Sequence, residues 1–107
     1  MIDWAVTKET ENYDVKELDL GEFILSITTL YPHKATIGHW HDSPEYIVLT
    51  CGKAVFLVDL AVLSMECGDH MLINTKEYHR VFNSSDESAL ILGIYKKGIS
   101  ITHGSPG

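Results

Sequence analysis

Short apolar runs recur along this chain at nearly even spacing: FILSITTLY (23–31), KATIGHWH (34–41), EYIVLTC (45–51), AVFLVDL (54–60), VLSMEC (62–67), HMLIN (70–74), HRVFN (79–83) and ALILGIY (89–95). Each has the length of a strand and is rich in β-branched and aromatic residues. Turn-prone sites such as DSP, CGD, NTKEY and NSSDES separate them. No segment carries a convincing amphipathic helical pattern. The chain therefore reads as all-β, an antiparallel jelly-roll β-barrel. The charged stretch ENYDVKELDLGE (11–22) suits either an extra edge strand or an extended arm.

Two runs, AVFLVDL and ALILGIY, are apolar on both faces, whereas a sheet with one wet face alternates. Something must cover the outer face, and a second copy of the chain is the simplest cover, so a homodimer packed sheet on sheet is expected. At 107 residues the chain has the size of one domain, 1–107. Its folded core is expected over about 20–97, with THGSPG closing a mobile tail over about 98–107.

Charge narrows the partners. Fifteen acidic against eight basic residues give a formal net charge of -7. That balance argues against gripping nucleic-acid phosphates or an anionic membrane. No apolar run approaches the ~20 residues of a membrane helix, and the N-terminus lacks a signal-peptide pattern, so a cytoplasmic protein is expected. Cys51 and Cys67 form no C-x-x-C and read as small buried thiols.

The chemistry concentrates in GHWHDSPEYIVLTCG (38–52). Side chains alternate along a strand, so His39 and His41 project from one face with Trp40 on the other. Glu45 keeps the same parity and follows the DSP turn, which can bring it back to the two imidazoles. His79, at the head of HRVFN, is the distant residue able to close a site. Val81 and Asn83 share its face, so Asn83 could line the cavity below, while Arg80 and Phe82 point away. Three nitrogens and one oxygen make a borderline ligand set that suits a divalent transition metal: Mn, Fe, Co, Ni, Cu or Zn. An H-x-H pair alone is weak evidence; its partners strengthen it.

These residues resemble the two motifs of the cupin family. The first motif runs Gly, five residues, His-x-His, three or four residues, Glu, six residues, Gly. HKATIGHWHDSPEYIVLTCG supplies His39, His41, Glu45 and Gly52 at those spacings. The second runs Gly, five residues, Pro-x-Gly, two residues, His, three residues, Asn, and GDHMLINTKEYHRVFN supplies Gly68, His79 and Asn83. The first glycine of the family is His33 here, and its Pro-x-Gly is Asn74-Thr75-Lys76, departures that bear on turn geometry rather than on ligands. A tight or irregular hairpin is expected at Asp59-Leu60-Ala61.

The resemblance implies His39, His41, Glu45 and His79 as metal ligands inside a small barrel, as in short cupins assigned as sugar-phosphate isomerases. A metal-dependent enzyme acting on a small sugar-like or oxygenated substrate follows, of isomerase or dioxygenase type, with Glu45 as a catalytic base. The alternative is a non-catalytic sensor that binds a small ligand in the same pocket. Ile47, Leu49 and Cys51 share the parity of Glu45 and should line the barrel. Tyr31, His33, Tyr46, Tyr78, Tyr95 and His103 remain for polar contacts at its mouth, with Tyr46 facing outward, and His70 reads as an exposed turn residue.

Overall fold

The computed structural model describes residues 4–99 and 101–103. Its elements are β1 (Ala5–Glu9), β2 (Tyr13–Asp19), β3 (Phe23–Leu30), β4 (His39–His41), β5 (Glu45–Cys51), β6 (Lys53–Val58), β7 (Ala61–Glu66), β8 (His70–Ile73), β9 (His79–Phe82), β10 (Ala89–Lys96) and β11 (Ile101–His103). They form a six-stranded sheet in the order β1-β2-β3-β10-β5-β8 and a five-stranded sheet in the order β11-β4-β9-β6-β7. All the pairings are antiparallel. The all-β jelly roll expected from the spacing of apolar runs is the fold observed. No described helix is long and apolar enough to cross a membrane.

Alternation positions the core between the two sheets. Ala54, Phe56 and Val58 of β6 are buried, and the residues between them are not. On the opposite sheet Ile47 and Leu49 of β5 and Ala89 and Ile91 of β10 face inward. Leu30, Leu49, Phe56 and Ile73 are fully enclosed. Burying a side chain of that size contributes ~2 kcal/mol, so the interior favours this register over a one-residue slip, which would turn every such residue outward.

Several expectations change in three dimensions. The run 34–41 is a strand only at His39–His41. Before it the chain makes a single bridge, Ala35 to Phe82, and irregular bonds from Thr36 to Val81. The stretch 11–22 contains an interior strand rather than an edge, because β1 pairs with β2 and covers it. Folded structure thus begins before residue 20. At the other end Ile101–His103, inside the stretch expected to be a tail, pairs with β4; residues 104–107 lie outside the described residues.

Cys51 and Cys67 are exposed, not buried. The register of β5 against β10 shifts between Leu90 and Ile91, whose partners are Cys51 and Leu49, leaving Thr50 as an extra residue. That bulge breaks the parity on which an inward Cys51 depended. Asn83 is fully buried but does not line the cavity that His39, His41, Glu45 and His79 border. Its amide donates to the carbonyls of Leu30, Tyr31 and Glu87, and its Oδ1 accepts from the amide and hydroxyl of Ser85. It ties the 83–88 loop to the end of β3.

The two departures from the family's glycines share a backbone conformation. His33 has φ 62° and Lys76 has φ 60°, both in the left-handed region that glycine enters without strain. Lys76 also donates its amide to the His41 carbonyl at 2.7 Å, tying this turn to the histidine strand. The hairpin at Asp59-Leu60 is a two-residue turn, with Val58 paired to Ala61 and Asp59 at φ 49°. The Asp59 carboxylate accepts the Tyr78 amide at 3.0 Å. Lys76→Gly should therefore stabilise the protein, by about 1 kcal/mol offset in part by the greater freedom of an unfolded glycine. Urea unfolding of the variant should show a higher midpoint at unchanged slope; a lower midpoint would contradict this account of the turn.

Candidate metal centre

β4 and β9 are neighbours in the five-stranded sheet, with His39 opposite His79. His39 and His41 share the inward face of β4. Trp40 turns away and packs near Tyr78, ring centroids 6.3 Å apart. Glu45 arrives from the other sheet: the chain leaves β4 at His41, crosses through Asp42, Ser43 and Pro44, and opens β5 on the six-stranded sheet. The DSP segment is thus a crossing between sheets rather than a hairpin. His39, His41, Glu45 and His79 each offer one ligand atom, and these four atoms lie within 4.8 Å of one another. The imidazole centroids stand 4.1 Å (His39 to His79), 4.9 Å (His41 to His79) and 5.6 Å (His39 to His41) apart.

Backbone carbonyls orient all three rings. His39 Nδ1 donates to Ile37 O at 3.3 Å, His41 Nδ1 to Ser43 O at 2.8 Å, and His79 Nδ1 to Glu77 O at 2.9 Å. For His39 and His79 a proton held on Nδ1 leaves the lone pair on Nε2, the form in which a neutral imidazole binds a metal, whereas His41 Nε2 donates to Glu45 Oε1. His41 Nε2 lies 3.2 Å and His79 Nε2 3.8 Å from Glu45 Oε1.

Burial acts first on the protonation states. It lowers His39 to about 4, assisted by the neighbouring His79, and likewise lowers His79 to about 4. Both are neutral near pH 7 and ready to ligate. Burial also works against a charge on His41, but the hydrogen bonds to Glu45 and Ser43 together outweigh it, and its pKa is raised.

The fit of a cation to this gap rests on one atom. His79 Nε2 is buried with no hydrogen-bond partner, and leaving such a nitrogen unsatisfied costs about 1–3 kcal/mol. A divalent ion between it, the other imidazoles and Glu45 would satisfy it. The group could hold a metal; nitrogen and oxygen donors in this ratio do not select among the borderline divalent ions.

Two glycines make room for the constellation. A Cβ on Gly93 would stand 2.5 Å from Glu45 Oε2 and 2.9 Å from Ser26 Oγ, so the carboxylate extends across β10 only because position 93 has no side chain. A Cβ on Gly38 would overlap the hydroxyl end of the Tyr78 side chain, which packs against that backbone just before His79.

Beside the four residues lies a cavity of about 320 Å³, at the small end of ligand pockets. Ile47, Phe56, Val81 and Ile91 give it apolar walls, and Glu17, Ser26 and Tyr95 of the six-stranded sheet give it a polar one. Of the residues expected at the mouth, Tyr95 is there. Tyr31 bonds Asp14 at 2.9 Å, exposed His33 pairs with Asp86 at 2.7 Å, and Tyr46 lies on the outer face, 2.6 Å from Nδ1 of His70. His70 belongs to β8 rather than to a turn. Tyr78 is buried against Gly38, and the His103 side chain lies outside the described residues.

Reading the sequence by motif missed the contribution of β1 and β2, above all Glu17. A signal existed: YDVKELD places Tyr13, Val15 and Glu17 on one face, an acid continuing an otherwise apolar series, and all three line the cavity.

Comparison with known proteins agrees with the geometry. Residues 26–95, more than half of the chain, match the family model described as the cupin domain. No curated protein sequence matches. Among solved structures, a mutant of the oxalate decarboxylase of Bacillus subtilis superposes with a TM-score of 0.80 at 21% identity, covering 90% of this chain and 29% of that one. The chain therefore spans less than a third of the decarboxylase. A further structure of that enzyme, described by its Mn(II) centres, gives a TM-score of 0.79 at 21% identity, with 89% and 29% covered. A sugar phosphate isomerase of the cupin superfamily from Silicibacter pomeroyi gives 0.81 at 17% identity, covering 98% of this chain and 78% of that one. At these identities the likeness concerns the fold.

Gly93→Ala should leave folding nearly unchanged, because the flexible end of Glu45 can swing aside, but should weaken divalent-metal binding by about tenfold through loss of the carboxylate ligand's position. Isothermal titration with Co(II) compares the two proteins; equal affinities would show that Glu45 does not need that space.

Proposed function

The chain belongs to the cupin domain family, and on that premise we propose that it is a metal-dependent enzyme for a small oxygenated organic molecule, of isomerase or dioxygenase type. His39, His41, Glu45 and His79 hold one divalent transition-metal ion in this reading. The observation that carries it is the buried, unpartnered His79 Nε2 at the focus of two further imidazoles and a carboxylate. When bound, such an ion supplies Lewis acidity toward the oxygens of a ligand.

The protein's own groups supply the rest. The carbonyls of Ile37 and Glu77 hold the protons of His39 and His79 on Nδ1 before any ligand enters, and the Ser43 carbonyl orients the His41 ring. Glu45 has the role of base: one oxygen is held near His41 and His79, while the other reaches the space over Gly93 and is placed to take a proton from a ligand in the cavity. Ile47, Phe56, Val81 and Ile91 keep water from that proton and strengthen electrostatics at the site.

The electrostatics favour a neutral or carbonyl-bearing substrate over a phosphorylated one. Arg80 is the one arginine of the sequence; it is exposed and donates Nε to Thr36 O at 3.0 Å, so it offers the cavity no bidentate phosphate clamp.

A second copy of the chain is the proposed cover of the six-stranded sheet. Leu25, Ile94, Tyr46 and Leu72 line up in one row of its outer face, and Ile27, Leu92 and Val48 in the next. Leu72 and Ile94 are exposed in the single chain. Light scattering at micromolar concentration should give twice the chain mass, and Ile94→Arg should halve it; a monomeric parent protein would sink this part of the reading.

Protein purified without a histidine tag should contain about one transition-metal ion per chain by mass spectrometry, and His79→Ala should lose at least about tenfold in metal affinity. Equal metal content in both would remove His79 from the site. With the metal-loaded protein, oxygen uptake on a panel of enols against anaerobic interconversion of sugars separates the two reaction types.

A further inference from the structure

The polar wall of the cavity holds a feature that the metal site does not use. Glu17 on β2 and Tyr95 on β10 lie on opposite sides of β3, paired with Ser26 and Ile24 respectively, and their side chains meet across it, the Tyr95 hydroxyl donating to Glu17 Oε2. All three residues, and Glu45, line the same cavity. In the backbone register Tyr95 faces Glu45 across β10 and β5, so the pair sits beside the metal group.

The hydrogen-bonding character of this wall is one-sided. The Tyr95 proton is committed to Glu17, leaving its oxygen as an acceptor, and the remaining Glu17 oxygen is an acceptor too. Ser26 directs its hydroxyl toward Gly93 O at 3.5 Å and likewise presents lone pairs. No described lysine, arginine or histidine lies within ion-pair distance of Glu17. Lys8, the cation in the cavity lining, instead has its ammonium 5.4 Å from the centre of the Tyr13 ring. A carboxylate on a cavity wall, partly buried and held by one phenol, is satisfied best by a donor that comes with the ligand.

We infer that Glu17 and Tyr95 form a second anchor that takes a hydrogen-bond donor, a hydroxyl or an ammonium, at the end of the ligand that the metal does not hold. The inference rests on the metal-site reading and deepens it. The ligand is bifunctional, with an oxygen that lends a lone pair to the ion and an O–H or N–H group that meets Glu17. A dianion carrying carboxylates at both ends is rejected, because its far end has no proton to give and faces the charge of Glu17. Tyr95 is a positioning residue in this scheme: it holds the carboxylate across β3 and aims its open oxygen into the cavity.

The test uses the full chain loaded with Co(II), read by the visible spectrum of the ion. The probes are straight-chain carboxylates of three to six carbons, in three matched series whose far end is ammonium, methyl or carboxylate. At the best-fitting length the ammonium ligand should bind about tenfold or more tightly than its methyl isostere, the worth of one charge-assisted hydrogen bond. The dicarboxylate should bind most weakly. Glu17→Gln, with cobalt content unchanged, should bring the ammonium and methyl ligands within about threefold and let the dicarboxylate bind; Tyr95→Phe should reduce the preference without reversing it. A preference that survives Glu17→Gln, or none at any length in the parent protein, overturns the second anchor while leaving the metal reading intact. A parent protein that takes up no cobalt overturns both.

Discussion

Everything at the candidate centre depends on one carboxylate reaching across from the opposing sheet. His39, His41 and His79 stand on the five-stranded sheet, where the pairing of β4 with β9 fixes their spacing. Glu45 stands on the six-stranded sheet and meets them only when the two layers face each other over a packed interior. Buried imidazoles kept neutral, one of them with an unpartnered nitrogen, are costly unless something occupies the gap. The fold carries that cost because Leu30, Leu49, Phe56 and Ile73 hold the sheets together around it.

The same constraint explains features that look incidental in isolation. Gly93 is bare because the Glu45 carboxylate lies over it, and Gly38 is bare because Tyr78 packs on it. Lys76 accepts a left-handed backbone so that its amide can hold the His41 carbonyl, which ties the loop before His79 to the strand bearing the other two histidines. The N-terminal strands widen the sheet that bears Glu45 and supply the polar wall on which Glu17 and Tyr95 meet. The site is therefore a small metal-type cluster at one side of a pocket whose other side has its own chemistry.

Period-two alternation carries far in this chain, and it fails where the backbone departs from a regular ladder. It places His39 with His41, turns Trp40 and Tyr46 away, and puts Ile47 inside. It misplaces Cys51, because the extra residue at Thr50 shifts the register and no local pattern announces a bulge. It brings Asn83 to the inward face but cannot show that a loop from 84 to 88 folds back to absorb its amide. Glu17 was legible as an acid on an apolar face, yet its meaning depended on which strand crossed beside it.

By itself the sequence determined the strand-rich class, the two motifs, and the four residues able to meet, because these follow from side-chain chemistry and from a spacing of two along an extended backbone. Tertiary structure alone decided that DSP crosses between sheets, that β11 closes the edge beside β4, and that Tyr95 reaches Glu17 rather than solvent. The last two are pairings between residues up to 78 positions apart in the chain. Contacts at that range are set by how the sheets pack and twist on one another, a property of the whole barrel that no local pattern encodes.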